Sequence, residues 1–219
     1  MKAKGKFIAA ACFAVLAALL LTLILTVDKA PVGAAGTEVG LANINKPVSD
    51  AIGVNMTLYD LTGALGIVAI LTAAVFAGIG LWQLVKRRSF FKVDKEIIAL
   101  GVLYVAVVVL YVFFEAVVVN YRPVLMPGKD LPEASFPSSH TMLVGVFMGG
   151  AAMMLGKYVK NRAVCRALQT VCVTVIAATV IGRLLSGVHW LTDIIGGALI
   201  SASLLSLFAG VKDLLSKKE

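Results

Sequence analysis

The chain has 219 residues, 60% of them hydrophobic and 15% charged, with a mean hydropathy of +0.96. That composition excludes a soluble globular enzyme and points to an all-α, multi-span membrane protein, one compact helical bundle over 1–219. The net charge of +8 is unevenly placed along the chain, so it reads as a topology signal and gives no ground for nucleic-acid binding.

Six apolar segments are long enough to cross a bilayer, which needs about 20 helical residues. In chain order they are Phe7–Val27, Leu58–Val85, Ile97–Val119, Thr141–Leu155, Ala167–Leu185 and Leu191–Val211. The fourth is short and reaches full length only if its polar start at Ser138–His140 and its end near Lys157 are included. The first, preceded by Lys2, Lys4 and Lys6, has a rival reading as a secretory signal with Ala34-Ala35-Gly36 as a cleavage site. Its apolar run exceeds the usual signal core of about 7–15 residues, which favours a retained span.

The connections follow. Asp28 to Thr57 is the longest, broken by Pro31, Gly33, Gly36, Gly40 and Pro47. It reads as a connecting loop, with a lid as the alternative, and Leu41–Met56 is apolar enough for a short helix along the interface. Lys86 to Glu96 and Lys157 to Arg166 are basic turns, and a short basic tail follows Lys212. Asn120 to Phe136 carries three prolines and Gly128, and Ser186 to Trp190 is a tight turn.

With six spans both termini share a side. That side holds 15 of the 20 basic residues, including Lys217 and Lys218, and four of the 12 acids. Lys and Arg accumulate in cytoplasmic loops, so both termini are expected in the cytoplasm, in a plasma (inner) membrane of bacterial type. Arg122, His140, Arg183 and His189 then fall at the extracytoplasmic ends of spans. Gly145 and Gly149, with Gly196 and Gly197, form small-residue faces for close packing within the bundle. Trp82, Trp190, Tyr121 and Tyr158 stand near span ends, as interface anchors would. The three cysteines, Cys12, Cys165 and Cys172, have neither disulfide nor metal spacing and read as small apolar fillers.

Two polar motifs carry chemistry. In Phe136-Pro137-Ser138-Ser139-His140, the proline pre-sets a helix start and the two serines and the histidine fill its first turn. Free backbone N–H groups there suit a phosphate oxygen, with the Ser138 hydroxyl and Ser139 amide as donors and His140 as proton donor to a leaving oxygen. In Arg183 through His189 to Asp193, a helix starting near His189 would put His189 and Asp193 on one face. A carboxylate on one ring nitrogen fixes the tautomer and leaves the other as a nucleophile. Arg183 and Arg122 would supply forked cations for phosphoryl oxygens.

Arg122-Pro123, Pro137-Ser138-Ser139-His140, and Arg183 spaced to His189 and Asp193 resemble the phosphatidic acid phosphatase type 2 superfamily over about residues 115–197. That superfamily includes bacterial lipid phosphate phosphatases and glucose-6-phosphatase and shares its site with vanadium haloperoxidases. The resemblance implies a six-helix membrane core, no cofactor or metal requirement, His189 as nucleophile, His140 as acid and Asp193 as support. Arg122, Ser138, Ser139 and Arg183 would bind phosphate. It also implies a lipid phosphate or pyrophosphate substrate, with undecaprenyl pyrophosphate, phosphatidylglycerol phosphate and phosphatidic acid as candidates. A phosphotransferase, or a non-catalytic lipid-phosphate receptor or transport component, stands beside it.

Two positions depart from the family pattern. Gly182 precedes Arg183 where serine is usual, and Glu115 stands where the family has a phosphate-binding lysine. Three readings of Glu115 are open. It points away or pairs with Arg122 or Arg183 while Lys129 covers the phosphate; it recognises a cationic substrate group; or it marks a catalytically weak site.

Overall fold

A computed structural model describes residues 3–216; Lys2, Lys217 and Lys218 lie outside the described residues. Six helices are long and apolar enough to cross a membrane. They are α1 (Ala3–Thr26), α3 (Met56–Arg87), α4 (Lys95–Ala116), α5 (Ser139–Tyr158), α6 (Arg162–Leu185) and α7 (Leu191–Leu215), joined by a shorter α2 (Ala42–Ile52). Every apolar segment of the sequence is one of the six. The fourth does gain its length from the polar residues at its ends.

α5 is the central helix, packed against α3, α4, α6 and α7, while α1 lies along α7. It has the lowest hydropathy of the six and the largest buried share. A helix surrounded by protein is under less pressure to be greasy and more to be small. Gly145 faces Ser201 of α7, Gly149 faces Leu205, and Gly150 faces Leu100 and Tyr104 of α4. The small-residue face therefore serves packing within the chain. Met142, Val146, Met148 and Met154 fill the centre against Leu100, Leu103, Val107 and Ala69.

The helix ends form two polar layers. In one, Lys6 pairs with Asp213 at 2.8 Å, Lys157 with Glu96 at 2.7 Å and Arg87 with Asp94 at 2.8 Å. These contacts gather the N-terminal end of α1, the C-terminal ends of α3, α5 and α7 and the start of α4. The opposite layer holds the polar motifs.

That opposite layer is tied together by the connections. The 120–135 loop folds back on itself, with Arg122 N–H donating to the Glu133 carbonyl at 3.0 Å and Ser135 N–H to Asn120 at 2.9 Å. Ala34 N–H donates to the Arg122 carbonyl at 3.1 Å. The segment Ala42–Ile52 is helical, as its apolar residues suggested, and Asn45 docks it. The buried Asn45 amide donates to Thr192 Oγ1 at 3.0 Å and to the Gly40 carbonyl at 2.9 Å. Asn55 caps α3 by accepting the Leu58 N–H at 3.1 Å, and its own N–H donates to the Ser186 carbonyl at 3.0 Å. The long connection thus buttresses the turn that carries His189. Gly187 in that turn has φ +68°, and a Cβ there would overlap the Gly53 carbonyl oxygen.

Trp190 corrects the sequence reading. It is 1% exposed, and its indole N–H donates to the Tyr121 carbonyl at 2.7 Å. The residue locks the 120–135 loop onto the start of α7 instead of anchoring at an interface, whereas Trp82 is exposed as an anchor would be. The three cysteines are free thiols.

Candidate active site

His189 sits in the turn between α6 and α7 and is buried. α7 begins at Leu191 with Trp190 as its cap, so His189 lies just outside the helix. Asp193, three residues past the cap, turns back and accepts the Trp190 N–H at 2.9 Å on Oδ2. The same oxygen is 3.5 Å from His189 Nδ1. The pair meets because the carboxylate caps the helix start, an orphan-donor role, and not because both residues share a helical face.

The other ring nitrogen faces Arg122. Nη1 of Arg122 lies 3.4 Å from His189 Nε2 and donates to the Val188 carbonyl at 3.3 Å. A guanidinium can only donate, so this contact suits a neutral ring with the lone pair on Nε2 and the proton on Nδ1, toward Asp193. Burial first, then the Arg122 and Arg183 charges, hold the His189 ring well below its ordinary value of 6.5. Arg122 is itself held by Glu133, with Nε 3.4 Å from the carboxylate.

Arg183 ends α6 and is 1% exposed. Its guanidinium carbon stands 4.4 Å over the centre of the Tyr59 ring of α3. Neither Nε nor Nη1 has a hydrogen-bond partner, and no carboxylate among the described residues pairs with it. A buried cation with unsatisfied donors is expensive unless an anion completes it.

The start of α5 closes the site. Ser138 is the cap and not a first-turn residue, so the helix starts at Ser139, later than the sequence reading placed it. Its hydroxyl accepts the Thr141 N–H at 3.5 Å, its own N–H donates to the Asp193 carbonyl at 3.0 Å, and it is fully buried. Ser139 and His140 occupy the first turn, half-buried, with their N–H groups free of helical partners. The His140 ring packs on Gly66 of α3, where a Cβ would stand 3.1 Å from Cδ2 and 3.3 Å from Nε2. Gly63, one turn before Gly66 on α3, has Arg183 Nη2 3.9 Å from where its Cβ would stand, and His189, which touches Arg122, lines one recess with Ser139. All four side chains therefore converge.

Gly196 and Gly197 of α7 let the Phe136–Ser138 segment lie flat: a Cβ on the first would enter the Phe136 ring, and one on the second would stand 3.0 Å from the Ser138 carbonyl. Lys129 is set apart, its Nζ 3.5 Å from Glu133 and its side chain mostly exposed. Glu115, in the last turn of α4, pairs with neither Arg122 nor Arg183 among the described residues. It lines a small recess together with His189, Ser135, Ser139 and Tyr111.

Several contributors had no signature in the sequence. Tyr59 supports Arg183, Glu133 holds Arg122, Gly66 receives His140, and Ser135 faces both His189 and Asp193. Each is placed by tertiary contact alone.

The sequence model of the PAP2 superfamily matches residues 100–213, a span that contains every one of the motif residues above. The chain belongs to the PAP2 superfamily. Its fold resembles the crystal structure of a transmembrane PAP2-type phosphatidylglycerolphosphate phosphatase from Bacillus subtilis, with a TM-score of 0.67 and 15% identity. The likeness covers 94% of this chain and 96% of that one. Among curated proteins, none matches this chain. Within a PAP2 chain, the convergence of two imidazoles and two guanidinium groups at one end of the bundle takes on a chemical meaning.

Proposed function

We propose that this PAP2 chain is a membrane phosphatase that releases phosphate from a lipid phosphate or diphosphate through a phosphohistidine on His189. The observation that carries the reading is the Arg183 guanidinium, buried with two unpartnered nitrogens and no ion pair among the described residues, within electrostatic reach of a second guanidinium that touches the His189 ring. Such an arrangement suits a multiply charged anion and little else.

The steps follow from the geometry. The phosphoryl group lies between Arg122 and Arg183, with oxygens on the free amides at the start of α5. Nε2 of His189 attacks phosphorus; the P–O bond to the lipid breaks, and His140 gives its proton to the departing oxygen. Asp193 stabilises the cationic ring that results. Water then attacks phosphorus, passing a proton to His140, and the P–N bond breaks to release inorganic phosphate. The dianion in the site favours the proton on His140 at the outset. The two arginines supply the charge compensation.

The distribution of Lys and Arg supports a topology with both termini in the cytoplasm and this site at the extracytoplasmic face of a plasma membrane. A lipid can then present its headgroup while its tail stays in the bilayer. Phosphatidylglycerol phosphate, the substrate class named for the Bacillus subtilis neighbour, stands among the candidates with phosphatidic acid and undecaprenyl pyrophosphate.

Phosphate release from these lipids by purified protein tests the reading. Release that vanadate inhibits and His189→Ala abolishes supports it. Binding of lipid phosphate with no release by the wild type points instead to a receptor or transport component.

A further inference from the structure

Glu115 is a charged residue beside His189 that the mechanism does not use. It is exposed, and it makes no hydrogen bond or ion pair with another described residue. Its obvious partners are taken. Arg122 pairs with Glu133, and Arg183 rests on Tyr59. Lys129 also pairs with Glu133. Yet Glu115 is within electrostatic reach of Arg122 and of Glu133, and it shares a recess with His189.

The recess adjoins a larger space. Tyr111, one turn before Glu115 on α4, and Ser139 line both the recess and a mainly apolar cavity of about 330 Å³. That cavity is walled by His140, Gly66, Ile70 and Phe147. An alkyl chain suits the cavity and a phosphoryl group suits the arginines. Glu115 stands in the recess that holds His189, separated from that cavity by Tyr111 and Ser139, on the side from which a departing alcohol would leave. A carboxylate there with no ion pair repels a second anion and attracts a cation.

Resting on the phosphatase reading, we propose that Glu115 selects the substrate: a lipid phosphomonoester that carries an ammonium group within a few bonds of the scissile ester, in preference to diphosphates and to hydroxyl counterparts. The cation of the substrate completes the carboxylate, and the anion completes the arginines. One zwitterionic headgroup satisfies both.

The test uses the purified full chain and a matched pair of probes, an amino-alkyl phosphate and the hydroxy-alkyl phosphate with the same chain. Wild type should favour the amine by roughly fivefold in kcat/KM, the scale of a partly solvated ion pair. Glu115→Gln should bring that ratio close to one, and Glu115→Lys should take it below one. The wild-type preference should also shrink as salt is added, and that of Glu115→Gln should not respond. A ratio unchanged in Glu115→Gln, or equal loss on both probes, overturns the inference. No release of phosphate from any lipid by the wild type overturns the phosphatase reading itself, so the two failures are distinguishable.

Discussion

Arg122 places Nη1 3.4 Å from Nε2 of His189, on the opposite side of the ring from Asp193. The nucleophilic nitrogen thus faces a forked cation while its partner nitrogen faces a buried carboxylate. In this arrangement the ring is aimed, kept in one tautomer and kept uncharged at the same time.

Asp193→Asn should lower kcat by at least about a hundredfold with little change in KM, because the amide no longer favours the required tautomer or the cationic ring. Steady-state phosphate release at saturating lipid checks this. The fold should survive, since an amide can still accept the Trp190 N–H at the helix start.

Arg183→Met separates stability from activity. A buried guanidinium with two unsatisfied nitrogens weakens the empty protein. The variant should melt at the same or a higher temperature than wild type while kcat/KM falls by about a thousandfold. A large loss of thermal stability would mean that Arg183 is structural.

Acid should destabilise the protein through His189. The ring is held well below its ordinary value by burial and by the two arginines. As pH falls through about 6.5 the unfolded chain takes up this proton and the folded chain does not. The unfolded state then binds more protons, so stability falls with falling pH. Thermal unfolding in detergent should show that slope, and His189→Gln should reduce it. For the same reason the acidic limb of kcat/KM due to His189 should lie below the ordinary imidazole range.

Gly66→Ala should cost about tenfold in activity without unfolding the bundle. Its Cβ would stand 3.1 Å from the His140 ring, so the ring must shift by a few tenths of an ångström. A wild-type rate for His140→Ala, by contrast, would remove His140 from the chemistry proposed for it.

Much of this was legible beforehand because membrane spans and phosphate motifs are written locally. Each span is a continuous apolar run, and Pro137 to His140 and Arg183 to Asp193 are short segments. Supports drawn from elsewhere were not legible. Nothing near Tyr59 or Glu133 in sequence says that one lies under Arg183 and the other beside Arg122. Trp190 misled because aromatic residues near span ends usually meet lipid headgroups, and here the 120–135 loop covers it. Asn45 showed the same limit, since the sequence allows a short helix over Leu41–Met56 but nothing in it says that Asn45 ties that helix to α7.

The central claim is that His189, His140, Arg122 and Arg183 enclose one phosphoryl group. A structure of the protein with orthovanadate tests it most directly. Vanadium is expected bonded to Nε2 of His189, with oxygens on both guanidinium groups and His140 against the apical oxygen. Vanadate bound away from His189, or bound without either arginine, would contradict it.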